Sequence, residues 1–249
     1  MTDTKNPLEL LLRKLELHSE LDEEDRRAVL SLPMTMRTLE PSAYIVREGD
    51  LPLSCAVLVS GFAYRQKVTA EGARQIVALH MPGEPLDFQN LFLDVSDHGV
   101  QALTRVELAV VRRSDLQALA RSRSAVGHAI LVTILVEASI FREWVLNVGR
   151  RDARTRLAHL LCEFGVRLDA LGLAEEYGYE LPMTQEQLAD TLGLTPVHVN
   201  RTLKVLEAEG LIIRNRRTIA FPKWQRLREV ADFNQRYLHL EPQQAGALH

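Results

Sequence analysis

Leu8, Leu11, Leu12 and Leu15 recur at three- and four-residue spacing, and the acid-led segment LDEEDRRAVLSL follows them. That spacing lines one face of a helix and acids favour a helix start, so residues 7–32 predict short helices, closed by Pro33. From about 37 to 112 the pattern changes to short strands punctuated by turns. IVREGD (45–50) and LVSGFAY (58–64) place Gly where the chain must turn, and alternation resumes in RQIVAL and VELAVV. Strands at such regular intervals predict a sandwich or a barrel-like roll.

Residues 113–150 predict a long helix carrying two apolar stripes. Ile130, Ile134, Glu137, Phe141, Trp144 and Val148 follow a 4-3-4-3-4 spacing, the seam of a two-stranded coiled coil. Leu131, Leu135, Ala138 and Val145 lie on another face, suited to packing on the strand domain. An ordinary amphipathic helix has one stripe. Two stripes fit either a helix with an internal and an external partner or a buried central helix. Gly149 loosens the end and Asp152 suits an N-cap, so a hinge and a domain boundary are expected near 150. A new amphipathic helix, RTRLAHLLCEFGVRL, follows.

The most informative stretch is LPMTQEQLADTLGLTPVHVNRTLKVLEAEGLIIRNRRTIAFP (181–222). Thr184 and Gln187 form a capping box that opens a helix through about Leu192, and Gly193 supplies a tight turn. Thr195 caps a second helix with Pro196 at its first position, where the missing N–H costs nothing. Val199, Leu203 and Leu206 face inward, leaving His198, Asn200, Arg201 and Lys204 outside. Gly210 stops the helix, and LIIRNRRTIAF reads as a hairpin with a basic tip. Together these parts are a winged helix-turn-helix. The major groove of double-stranded DNA admits one helix, whose N-terminal residues meet the base edges. His198, Asn200 and Arg201 are the expected base readers, with Arg201 suited to guanine and Asn200 to adenine. Thr184, Gln185, Thr195, Lys204, Arg214, Arg216 and Arg217 are the expected phosphate contacts, which position without reading sequence.

Charge agrees locally rather than globally. The chain carries a net −3, yet residues 194–228 hold eight bases against two acids. A local surplus of this kind attracts a phosphate backbone. The strongly apolar run Ala129–Val136 is shorter than a bilayer crossing needs, no basic leader precedes an apolar core, and two cysteines cannot make a disulfide framework. A reducing cytoplasmic setting without a membrane partner is expected. No GxSxG, P-loop or HExxH is present, so an enzyme is not expected. A module that keeps its helix-turn-helix only for protein contacts remains the competing class. Cys162 lies among Leu160, Leu161 and Phe164 and reads as core, and the tail QQAGALH reads as a frayed end.

The order of parts resembles the Crp/Fnr family of bacterial transcription regulators over about residues 10–228. The carrying residues are IVREGD, LVSGFA, the PGE at 82–84, the long helix and LPMTQEQLADTLGLTPVHVNRTLKVLEAEGLI. The resemblance implies an α+β fold. An N-terminal antiparallel β-roll of the cyclic-nucleotide-binding type (1–112) would lead to a long dimerisation helix (113–150). A C-terminal winged helix-turn-helix (151–230) and a tail (231–249) complete the chain. It also implies a homodimer on a near-palindromic site, contact with RNA polymerase and a small-molecule effector. By position Arg201 matches the family's guanine-reading arginine, while Val197 stands where many members carry a Glu. Members that bind cyclic AMP hold its phosphate with an Arg-Ser or Arg-Thr pair some ten residues past the PGE. Here DVSDHGVQAL (94–103) offers Asp97 and His98 and no Arg. Gly83, Glu84, Asp97 and His98 therefore mark a candidate effector pocket of another chemistry. His98 reads as a ligand or as a structural histidine. Oxygen-sensing members hold an iron–sulfur cluster on an N-terminal cysteine cluster that this sequence lacks. No cofactor is expected.

Overall fold

A computed structural model describes residues 6–17, 19–173 and 178–240; the tail expected to fray lies outside them. The chain divides into two units, Met1–Thr69 with Val77–Ala138, and Ala70–Ile76 with Ser139–His249.

In the first unit, helices α1 (Glu9–Glu16) and α2 (Glu23–Leu30) precede the strands. The Asp22 carboxylate accepts from the Glu24 and Asp25 N–H groups, and Asp25 reciprocates on the Asp22 N–H, which starts α2. Seven strands follow: β1 (Met34–Leu39), β2 (Tyr44–Val46), β3 (Ser54–Ser60), β4 (Ala63–Val68), β5 (Arg74–His80, whose first three residues are counted with the second unit), β6 (Gly99–Ala102) and β7 (Val106–Arg112). One sheet has the order β1-β7-β3 and the other β2-β6-β4-β5. Alternation along β7 explains the layering. Val106 and Leu108 join Leu58, Leu86 and Val100 in one core, while Ala109 and Val111 join Leu11, Leu15, Phe88 and Ile130 in another. Each buried Val, Leu, Ile or Phe among them contributes about 1.5–3 kcal/mol.

Gly61 makes the turn from β3 to β4 at φ +80°, where a Cβ would collide with the Arg105 carbonyl oxygen and crowd Thr104. Gly61→Ala is expected to destabilise the roll by about 2–4 kcal/mol, combining left-handed strain with overpacking, as measured by denaturant unfolding.

Helical structure after the roll comes in two pieces. Helix α3 (Arg113–Ser122) ends at Arg123, which is extended at φ −124°, ψ 96°, before α4 (Ser124–Arg150). The single helix expected over 113–150 is thus broken. Gly127 permits the close approach of the start of α4 to the end of α3, since a Cβ there would lie 2.6 Å from the Ala120 carbonyl oxygen. Helix α4 has 27 residues and an 18-residue stretch of mean hydropathy 1.8, so by length and composition alone it is able to cross a bilayer, contrary to the expectation from its shorter apolar run. The two compact units divide within α4, after Ala138.

The second unit continues with α5 (Ala153–Ala170), capped by Asp152, which accepts from the Arg154 and Thr155 N–H groups. Every residue from Leu157 to Leu168 is buried, so α5 is a central helix and not the amphipathic one expected. Around it lie β8 (Gly178–Glu180), α6 (Gln185–Leu192), α7 (Pro196–Ala208), β9 (Ile213–Asn215), β10 (Thr218–Ala220) and α8 (Trp224–Val230). The strands pair in the order β8-β10-β9. Phe164, Tyr179, Phe221 and Trp224 form a chain of tilted ring contacts, with centroids 5.2–5.4 Å apart. Cys162 is buried in this core, and burial pushes its thiol far above the ordinary range, which leaves it inert.

Candidate nucleic-acid interface

Local sequence builds the helix pair directly. Thr184 Oγ1 accepts from the Gln187 N–H, the Gln187 side chain accepts from the Thr184 N–H, and Gly193 ends α6 in the left-handed region at φ 61°. Thr195 Oγ1 accepts from the His198 N–H, with Pro196 opening α7. Val199, Leu203 and Leu206 are buried, and Thr202 joins them by bonding back to the His198 carbonyl at 2.9 Å.

That inward set turns the opposite face of α7 to solvent. Val197 is 71% exposed; His198, Arg201 and Lys204 are exposed, and Asn200 is half-buried. With Gln185 and Pro196, four of these line a shallow concavity of about 500 Å³: Val197, Asn200, Arg201 and Lys204. His198 does not line it. The hairpin β9–β10 carries Arg216 and Arg217 at its tip, both exposed, with Arg216 at φ 55°. Arg214 departs from expectation. Its guanidinium is 2.6 Å from Glu207 on α7, half-buried, and holds that carboxyl below the usual glutamate range. It braces the wing against α7, so the outward charge of the wing is carried by Arg216 and Arg217 at its tip. Thr184 and Thr195 are exposed, but their hydroxyls are already engaged as caps.

The four candidate effector residues divide between two places. Gly83 packs on Leu10, and Glu84 pairs with Lys14 at 3.2 Å and accepts from the Met81 N–H. His98 is buried between two carboxylates, Asp87 at 2.7 Å from Nε2 and Asp97 at 2.6 Å from Nδ1. The His98 contact lowers the Asp97 pKa. Beside them Arg65 donates to the Leu86 carbonyl at 2.8 Å and lies 3.5 Å from Asp87 and 3.4 Å from Glu137 of α4.

Two of the expected seam residues on α4 point inward. Ile130 and Trp144 are buried, and Glu137 is paired with Arg65. Leu131, Phe141 and Val145 are 50–57% exposed, with Ile134, Ala138 and Val148 half-buried between them. This set spaces 3-4-3-4-3 and is wholly apolar. The outward stripe therefore keeps Ile134, Phe141 and Val148 but takes Leu131, Ala138 and Val145 in place of Ile130, Glu137 and Trp144.

Known proteins share both halves. A family model described as the Crp-like helix-turn-helix domain matches residues 155–230, and one described as the cyclic nucleotide-binding domain matches residues 36–123. The chain is 32% identical to the transcriptional activator protein FnrL of Cereibacter sphaeroides, over 78% of this chain and 79% of that protein. It is 31% identical to the nitrogen fixation regulation protein FixK of Rhizobium meliloti, over 82% and 91%. The chain belongs to the Crp/Fnr family. The solved structure of FixK2 from Bradyrhizobium japonicum superposes with a TM-score of 0.73 at 27% identity, covering 80% of this chain and 98% of that one. This Crp/Fnr protein is a DNA-binding transcription regulator, and the relatives it matches are regulators rather than enzymes.

Membership raises the question of a cyclic nucleotide in the roll, and the residues do not fit one. An anionic phosphate over residues 94–103 would meet Asp97 beside His98, with Asp87 behind, and the neighbouring Arg65 is already held by Asp87, Glu137 and the Leu86 carbonyl. A carboxylate facing a phosphate repels it, and no free guanidinium among the described residues offsets Asp97 here. Adding cyclic AMP is expected to leave the DNA affinity of this Crp/Fnr regulator unchanged within about twofold. Equilibrium titration with labelled duplex checks this, and a tenfold gain in affinity would contradict it. Sequence reading missed Arg65 and Asp87 because only the fold brings Arg65 to Leu86, Asp87 and Glu137, and Asp87 to His98. The only local signal was the Asp87 acid within the apolar run PLDF.

Proposed function

We propose that the regulator acts in the cytoplasm as a homodimer paired along α4, and that its two copies of α7 read the half-sites of a near-palindromic duplex. The functional division is a roll (1–112), pairing helices (113–150), a reading domain (151–230) and a tail (231–249). The observation that carries the proposal is the exposed basic face of α7 around its concavity, flanked by the Arg216–Arg217 tip. Arg201 is assigned to guanine O6 and N7, Asn200 to adenine, and His198 to a flanking base edge. Gln185, Lys204, Arg216 and Arg217 anchor phosphates, with Thr184 and Thr195 contributing at the helix starts. The outward apolar stripe on α4 supports pairing. A membrane span would be apolar all round, whereas this helix also carries Glu137, Arg142 and Glu143. The activator role of the relative FnrL supports contact with RNA polymerase from the bound dimer.

Random-site selection followed by footprinting is expected to recover a two-fold sequence with half-sites about one helical turn apart. Recovery of no enriched sequence at moderate salt would overturn the proposal. Arg216→Ala and Arg217→Ala are each expected to make the fall of log affinity with log salt shallower by about two, one phosphate contact being lost from each protomer, with sequence preference retained. A titration without salt dependence would favour the module that contacts only protein.

A further inference from the structure

The helix-turn-helix match ends at residue 230, yet the chain goes on to build structure. Ala231 and Phe233 are buried, and a 3-10 turn, Gln235–Leu238, buries Leu238. Asp232 and His239 take left-handed conformations at φ 48° and 50°, which surrounding contacts must hold in place. The segment returns to the end of α4 and the middle of α5.

Glu163 is the joint. It is fully buried on α5, and its carboxylate accepts from Trp144 Nε1 of α4 at 2.9 and 3.1 Å and from Arg167 at 3.2 Å. The Tyr237 hydroxyl of the 3-10 turn donates to it at 2.8 Å. A buried carboxylate is costly unless donors surround it. Two of these three donors come from outside α5, so satisfying the group draws three chain segments together. Aromatic packing closes the joint: Tyr237 stacks on His159 at 5.8 Å, and Phe233 meets that ring edge-on at 5.2 Å. Burial holds the His159 imidazole down at about 4, neutral beside the phenol. A second tie lies alongside. Arg151 donates to Glu143 at 2.7 Å and to the Asp232 carbonyl and carboxylate at 3.3 Å. Both ties straddle the turn from α4 into α5, where Gly149 has open space around it.

We propose that residues 231–239 are a strap that fixes the bend between α4 and α5, and that Trp144, Glu163 and Tyr237 are positioning residues for DNA reading. The proposal rests on the reading of α4 as the pairing helix. The bend sets where each recognition helix lies relative to the pairing axis, so a fixed bend accepts one half-site separation and a loose one accepts several. Preorganisation of this kind acts on specificity without touching a base.

Competition gel shifts test it with the full chain, Tyr237→Phe and a chain ending at Val230, on duplexes at the selected spacing and with two base pairs added or removed. The full chain is expected to prefer its selected spacing by at least about tenfold. Both variants should narrow that preference to about threefold or less, with dimer mass and single half-site affinity retained. If the shortened chain does not fold, Tyr237→Phe decides alone. Variants that keep the full chain's spacing preference would overturn the strap. A full chain that binds no two-fold site would overturn the dimeric reading instead, before the variants are compared.

Discussion

A chain carrying Leu131→Glu and Val145→Glu is expected to stay folded, to sediment as a monomer and to lose about two to four orders of magnitude in affinity for a two-fold site. Both residues are at least half exposed, so a charge there costs the isolated chain little. On a two-fold seam each glutamate would meet its own copy, and like charges at core positions of a paired helix oppose association. The large loss arises because the second half-site of a dimer binds at high effective concentration, and a monomer forfeits that gain without losing any contact of its own. Sedimentation velocity and duplex titration read the two effects separately. A double variant that remains dimeric at micromolar concentration would move the seam elsewhere.

Arg201→Ala carries the second large effect. Its loss is expected to cost about 1–3 kcal/mol for each half-site and to relax preference at one base pair of each. Arg201 lies on the exposed face of α7, where Val199 and Leu203 of the same helix are buried. The substitution therefore leaves the helix packing intact. Competition with singly altered duplexes measures the outcome: discrimination should fall at one symmetric pair of positions and persist at the others. A uniform loss across all sequences would reassign Arg201 to the phosphates, with Arg216 and Arg217.

The helix-turn-helix was legible because its signals are local. Thr184 and Gln187 meet within one turn, Gly193 needs its positive φ whatever surrounds it, and Thr195 with Pro196 starts a helix on its own chemistry. Arg214 shows the limit of that logic. As one of several bases in a row it reads as a phosphate contact, and only the approach of β9 to α7 pairs it with Glu207. Likewise Glu163 and His159 look like the polar positions of an amphipathic helix until α4 and the C-terminal segment cover them.

Helix α4 separates the two kinds of information most clearly. Period and composition determined that it is a long helix with two apolar faces, and capping chemistry determined the position and sense of the helix pair that meets DNA. Which apolar face is free was decided by the tertiary fold, because Ile130 and Trp144 are each covered by their own packing and Glu137 is held by Arg65 from a distant strand. Helical periodicity specifies that residues share a face. It is blind to which neighbour arrives to bury that face, since that neighbour is supplied by parts of the chain far removed in sequence.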